Sequence, residues 1–293
     1  MASEVECAAM RQAIILSALG LGTTSPNPPV GCIILDRQGH IVGTGFHRRK
    51  GEAHAEVNAL GAAGSAARGG TAVVTLEPCN HVGVTPACRQ ALIDAGIARV
   101  VIGVMDPTSR GDGGAAVLAA MGIDVETGVL AAEVMSVLGP WLLATTRKTP
   151  HLTLAYVVEA EDERGEALLD QLRSSADIVV TDDRIEEGVA GGHSTRHLDL
   201  RDLQPPRQHL ATWLADAQKA GVRTVLLCGQ GRAAEALLSL HAVDRLVLAV
   251  PRSSEGLGFA PSISAAWPTF EISELSSWSH GLLVKLDRIS ATA

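Results

Sequence analysis

Short, wholly apolar runs alternate with helix-patterned segments along this chain, and the alternation starts afresh near residue 150. That rhythm is the tightest constraint on the fold. Apolar strands of this kind need cover, and the intervening helices supply it in a layered α/β arrangement. Residues 5–19 carry helical apolar spacing and end at Gly20 and Gly22. "TSPNPPVG" is an irregular connection, because its prolines deny both helix and central strand. "VGCIIL" and "IVGTGF" then flank "DRQGH", a loop of hairpin type. An Ala-rich helix is expected from about Ala53, followed by the strand "TAVVTL", the helix "PACRQALIDAG" and the strand "RVVIGVMDP". Another helix and a short "IDVETGVL" segment complete this half.

"LGPWLLATTRKTP" reads as a terminal helix running into a linker, which places a boundary near Lys148 to Pro150 and divides the chain into 1–148 and 149–293. Beyond it the strand-like runs "HLTLAYVV", "ADIVVT", "RTVLLCG" and "DRLVLAV" alternate with helices, and "TFEISEL" and "GLLVKLDRI" suit antiparallel strands. Residues 182–206 are polar and turn-rich, so a long surface loop is expected there. At 293 residues the chain suits two cores, and with aromatics at only 3% these must be built from Ala, Val, Leu and Ile.

A formal net charge of -8 argues against a general nucleic-acid or acidic-membrane binder, since phosphate contacts need clustered Lys and Arg. No apolar run approaches the roughly 18 residues that cross a bilayer. The opening "MASEVECAAMRQAI" has no basic stretch followed by an apolar one, so no signal peptide is expected. Five unevenly placed cysteines do not make a disulfide framework. A reduced, cytoplasmic, soluble protein is the expectation.

The chemistry concentrates in "TLEPCNHVGVTPAC", where eight residues separate Cys79 from Cys88, and in "HAE", His54 to Glu56, one helix upstream. Cys79 follows Pro78 just after a strand, and Cys88 is expected just inside a helix whose N-cap and first position suit Thr85 and Pro86. A helix N-terminus favours the thiolate that zinc requires. Two cysteines and His54 would leave one corner of a zinc tetrahedron open for water, the catalytic rather than the closed structural arrangement. Glu56 could take that water's proton and pass it to a leaving amine. This follows the zinc-deaminase pattern H-x-E followed by P-C-x-x-C, except that the second cysteine comes later. Cys7, Cys32 and Cys228 read instead as small buried hydrophobes.

At these residues the sequence resembles the bifunctional riboflavin-biosynthesis deaminase/reductases of RibD or RibG type. "TTSPNPPVGCII", "GFHRRKGEAHAEVNAL", "TLEPCNHVGVTPACRQALIDAGIARVV" and "VMDP" fall in that family's order and spacing, and the long cysteine interval is a hallmark of it. The resemblance implies a three-layer α/β/α cytidine-deaminase-like domain followed by a dihydrofolate-reductase-like α/β domain. It also implies hydrolytic removal of the 2-amino group of a diaminopyrimidinone ribosyl phosphate, with release of ammonia. His54, Cys79 and Cys88 would bind Zn2+ and Glu56 would shuttle the proton. Asn27, His47 and His81 match positions that contact the pyrimidine, and their mixed donors and acceptors suit a polar heterocycle. A homo-oligomer, dimer or tetramer, is expected, with a small-molecule partner and neither nucleic acid nor membrane.

The chain departs from the family in places. Val84 stands where a basic residue usually helps hold the phosphate, and "DPTS" replaces "DPNP". Arg110, or Arg48, Arg49 and Lys50, are the candidates for a replacement grip. The second half resembles an NADPH-dependent reductase in order and length, but Ala155 stands where a lysine is expected, and "CGQG" replaces a Gly-Gly-Pro turn. The expectation is a domain that keeps its fold and has lost hydride transfer, so NADPH is implied by the family and opposed by the residues. A specialised pathway making pteridine-, deazaflavin- or pyrimidotriazine-like compounds is as open as riboflavin synthesis. A fully bifunctional enzyme, a deaminase of another base, and a zinc-stabilised scaffold without catalysis are the alternatives.

Overall fold

The structure, a computed structural model, describes every residue other than 81–86, 110–112, 158–169, 171, 182–183, 194–197, 204–209, 229–241, 252–260, 279–280 and 290–293. The chain divides into two compact units, Met1–Leu142 and Leu143–Ala293. The first runs α1 (Glu4–Ala18), β1 (Gly31–Leu35), β2 (Ile41–Phe46), α2 (Ala55–Ala63), β3 (Thr71–Leu76), α3 (Cys88–Asp94), β4 (Arg99–Val104), α4 (Gly113–Ala120) and β5 (Asp124–Thr127). The helix α5 (Ala131–Arg147) follows, and the division between the units falls inside it.

The five strands lie in the order β2-β1-β3-β4-β5. β1 pairs antiparallel with both β2 and β3, whereas β3, β4 and β5 are mutually parallel. β1 is buried at every position and β3 at all but its first, as the apolar runs require. Successive residues of a strand face opposite ways, and glycines mark where each covering helix sits. A Cβ on Gly31 would lie 2.0 Å from the Ala13 carbonyl oxygen of α1. Cβ atoms on Gly43 and Gly45 would meet α2 instead, at 2.2 Å from Ala59 O and 2.4 Å from both Ala55 O and Ala59 N. Gly45 pairs with Cys32, the neighbour of Gly31, so α1 and α2 cover opposite faces. That is the three-layer arrangement.

The closeness of α2 has a use, because His54 and Glu56 stand at its first turn. Small residues on both sides allow it: Ala55, Ala59 and Ala63 are all buried against the strand glycines. Gly45→Ala would drive a methyl group into helix backbone that has nowhere to give. We expect it to destabilise the protein by about 3 kcal/mol, read as a lowered denaturant midpoint at unchanged slope; a midpoint like that of the parent would refute the close-seat account.

The second unit holds β6 (His151–Val157), β7 (Ile178–Val180), β8 (Ile185–Glu187), α6 (Leu210–Lys219), β9 (Thr224–Cys228), β10 (Arg245–Pro251), α7 (Pro261–Ala266), β11 (Phe270–Trp278) and β12 (Gly281–Arg288). Its sheet order is β11-β12-β10-β6-β9-β7-β8, with the expected antiparallel pair β11/β12 at one edge. The stretch 182–206 is not all loop. β8 lies within it and pairs with β7 through Val180 opposite Ile185, because backbone pairing on an edge does not require an apolar side-chain pattern. The expected helices after "HLTLAYVV" and "RTVLLCG" lie outside the described residues, apart from Asp170, Leu172 and Arg173.

His151 opens β6, and burial pushes its pKa down to about 4. The folded protein therefore holds it neutral, while the unfolded chain takes up a proton from about pH 6.5 downward. Its stability contribution is complete above that value and is lost as pH falls toward 4, by about 3 kcal/mol in all. Comparing the acid limb of unfolding in the protein and in His151→Gln should show the shallower slope in the variant; equal slopes would exclude His151 as a source.

Candidate metal centre

Four chain segments reach one edge of the five-stranded sheet. β2 and β3 both oppose β1 and β4 runs with β3, so the start of β1 and the ends of β2, β3 and β4 coincide there. Residues 23–30 lead into β1, His47 follows β2, Glu77 to Cys79 follow β3, and residues 105–109 follow β4. The carboxyl ends of strands are where α/β sheets characteristically hold ligands.

His54 is the N-cap of α2, yet its side chain makes no capping bond. Its imidazole is engaged elsewhere: Nδ1 lies 3.1 Å from Cys88 Sγ and 3.8 Å from Cys79 Sγ. Cys88 is the first residue of α3, and its amide donates to Cys79 Sγ at 3.2 Å. Here the expectation for the helix start is corrected. Ala87, not Thr85, is the N-cap, and Cys88, not Pro86, begins the helix. The Cys79 sulfur accepts the free amide there.

The ligand atoms of His54, Cys79 and Cys88 all lie within 4.8 Å of one another, and no other such group occurs among the described residues. Tetrahedral zinc with ordinary bond lengths sets nitrogen and sulfur ligands roughly 3.6 Å apart and two sulfurs roughly 3.8 Å apart. The spacing and the donor set, one imidazole and two thiols, fit that ion.

Charge is already organised around it. Hydrogen bonding to the Cys88 thiol, then to His54 and the Cys88 amide, holds Cys79 down to about 4. The same contact, with burial, pushes the Cys88 thiol up. His54 is raised chiefly by its bond to Cys79. The pair of sulfurs thus shares negative charge at this point, which suits a divalent cation. Glu56, 3% exposed, sits two residues past His54 in the first turn of α2 and hydrogen-bonds to the Cys88 thiol. Burial raises its pKa above the ordinary carboxylate value.

Beside the cluster, the His47 ring stands edge-on to that of His54, with centroids 5.1 Å apart. Asn27 Nδ2 and His47 Nε2 are 3.2 Å apart, His47 Nδ1 lies 3.1 Å from Ala53 O, and Lys50 Nζ donates to Asn27 Oδ1 at 2.7 Å. Arg48 lies over the Phe46 ring. His81, Val84 and Arg110 lie outside the described residues.

Sequence reasoning passed over three residues that shape this edge. Glu77 is buried and accepts from the amides of Asp106 and Ala115 and from Ser109 Oγ, at 3.2, 3.0 and 2.7 Å, tying the segment after β4 to the one bearing Cys79. Asn58 donates to the carbonyls of Phe46 and Ala53. Trp141 Nε1 donates to Pro26 O at 2.9 Å, steadying the segment that carries Asn27. A carboxylate directly after a buried strand was the one available signal, at Glu77.

Comparison with known proteins agrees with this geometry. Residues 3–104 match the cytidine and deoxycytidylate deaminase zinc-binding region. A diaminohydroxyphosphoribosylamino-pyrimidine deaminase of Buchnera aphidicola subsp. Acyrthosiphon pisum is 54% identical over 125 residues, 42% of this chain and 84% of that protein. Among solved structures, a diaminohydroxyphosphoribosylaminopyrimidine deaminase/5-amino-6-(5-phosphoribosylamino)uracil reductase of Thermotoga maritima superposes with a TM-score of 0.81. It is 23% identical and covers 97% of this chain and 99% of its own. RibD of Acinetobacter baumannii gives 0.77 at 25% identity, over 98% of this chain and 99% of its own.

Proposed function

The chain belongs to the RibD-type diaminohydroxyphosphoribosylaminopyrimidine deaminases of riboflavin biosynthesis, and from that premise we propose that its first unit hydrolyses the 2-amino group of a diaminopyrimidinone ribosyl phosphate, or of a close analogue, and releases ammonia. The observation that carries this reading is the meeting of His54 Nδ1 with the sulfurs of Cys79 and Cys88 beside the buried Glu56.

His54, Cys79 and Cys88 would hold a zinc ion, which supplies Lewis acidity for hydrolysis at neutral pH. The chain's own work falls to Glu56. In the balanced reaction a water oxygen replaces the amino nitrogen at the ring carbon, and a proton must pass from that water to the departing amine. A carboxylate whose pKa is lifted by burial is matched to both halves of that transfer. Cys32 and Cys228, both buried in strands, take no part.

The second unit retains the architecture of its solved relatives, but β6 carries buried Ala155 where a lysine is expected. We infer that it no longer transfers hydride and that it supports the deaminase structurally, within a homo-oligomer. Saturable NADPH binding with reduction of a ribosylamino-pyrimidinedione would overturn that part alone.

The deaminase reading is tested by ammonia release from the phosphorylated diaminopyrimidinone and from its dephosphorylated form. Turnover of at least one is expected, and turnover of neither would refute the pyrimidine assignment. Preference for the dephosphorylated compound would favour a specialised pathway.

A further inference from the structure

A lysine ammonium has hydrogens to donate and no lone pair to accept with. Lys50 Nζ lies 2.7 Å from Asn27 Oδ1 and so fixes which end of that amide faces it. The amide nitrogen must then be the atom 3.2 Å from His47 Nε2, and since Nδ2 is a donor, Nε2 must accept. The remaining ring nitrogen, Nδ1, carries the hydrogen and donates to Ala53 O at 3.1 Å. Lys50, which can only donate, and the Ala53 carbonyl, which can only accept, together set the direction of a chain of three hydrogen bonds that ends on the residue before His54. Every donor in it points the same way.

Asn27 Nδ2 has two hydrogens. Among the described residues one goes to His47, and the other is left for a ligand. With both ring nitrogens of His47 engaged, the nitrogens of the Asn27 and His47 pair leave a bound molecule a single N–H donor. The group that meets this hydrogen must be an acceptor, such as a ring carbonyl oxygen or an unprotonated ring nitrogen.

We propose that Lys50 is a positioning residue of the deaminase site: by holding Asn27 Oδ1 it secures, together with the Ala53 carbonyl, the Nδ1–H form of His47 and turns one Asn27 N–H toward an acceptor atom of the substrate ring. The proposal rests on the deaminase reading above for the identity of that ring. Lys50 itself acts through Asn27 and does not bind the substrate's phosphate.

The test uses the full-length, zinc-loaded protein labelled with 15N, in which long-range proton–nitrogen correlations of histidine rings report which nitrogen bears hydrogen. His47 is assigned by its disappearance in His47→Gln. The parent protein should show hydrogen on Nδ1 and a bare Nε2. Lys50→Met should shift His47 toward a mixture of the two forms, and Lys50→Arg, again a pure donor, should restore the parent pattern. In kinetics, Lys50→Met should raise KM about tenfold, equally for phosphorylated and dephosphorylated diaminopyrimidinone, with kcat changed less than about twofold. Hydrogen on Nε2 in the parent, or an unaltered His47 pattern in Lys50→Met, would overturn the proposal. So would a KM effect confined to the phosphorylated compound, which would make Lys50 a phosphate contact. If the parent turns over neither compound, the deaminase reading falls, and the histidine spectra still decide the role of Lys50.

Discussion

Glu56→Gln is expected to lower the rate of ammonia release by about a thousandfold while leaving about one zinc per chain. The amide matches the carboxylate in shape and can still hydrogen-bond, but it cannot accept a proton and hand it on. Because Glu56 is buried and its pKa is raised by that burial, removing its charge relieves a desolvation cost, so the variant should unfold no earlier than the parent. The combination separates catalysis from scaffolding. Activity within tenfold of the parent would mean that Glu56 is dispensable, and the cluster would then be a structural metal site.

The second large effect concerns the metal itself. Cys88→Ser replaces a soft thiolate by a hydroxyl that stays protonated at neutral pH. Zinc bound after dialysis should fall below about 0.1 per chain, with ammonia release lost altogether. Cys88 also anchors the start of α3, its amide bonded to Cys79 Sγ at 3.2 Å. The variant should therefore melt at the temperature shown by the parent after chelator treatment, since metal binding and local folding are linked. Stoichiometric zinc in Cys88→Ser would show that His54 and Cys79 recruit another ligand, and would remove the observation on which the proposed function stands.

The clustering of His54, Cys79 and Cys88 was legible because its members fall where chain geometry changes: His54 at the start of α2, Cys79 shortly after β3, Cys88 at the start of α3. Residue type and order suffice at such points. The layered fold was legible for a related reason, since strands buried along their length are apolar along their length, as β1 is. What escaped depends on partners distant in sequence. Glu77 reads as one more carboxylate until the segment after β4 folds onto it. Lys50 sits in a run of three basic residues that suggests a phosphate grip, and only the fold shows its ammonium donating to Asn27. The helix start at Cys88 was misjudged because Thr85 and Pro86 suit a cap by composition, while the sulfur of Cys79 takes the amide that a cap would have taken. Strand β8 was missed because an edge strand recruits through its backbone and needs no apolar stripe.

The glycine seat beneath α2 divides the molecule for anyone wishing to re-engineer it. Both residues at the reactive end of that helix inherit their coordinates from backbone contacts at Gly43 and Gly45, so bulk added there would be felt at the hydrolytic centre before it changed which compounds are accepted. Altered substrate range is better sought by randomising residues 23–30 and 105–109, which border the same sheet edge without underpinning the helix.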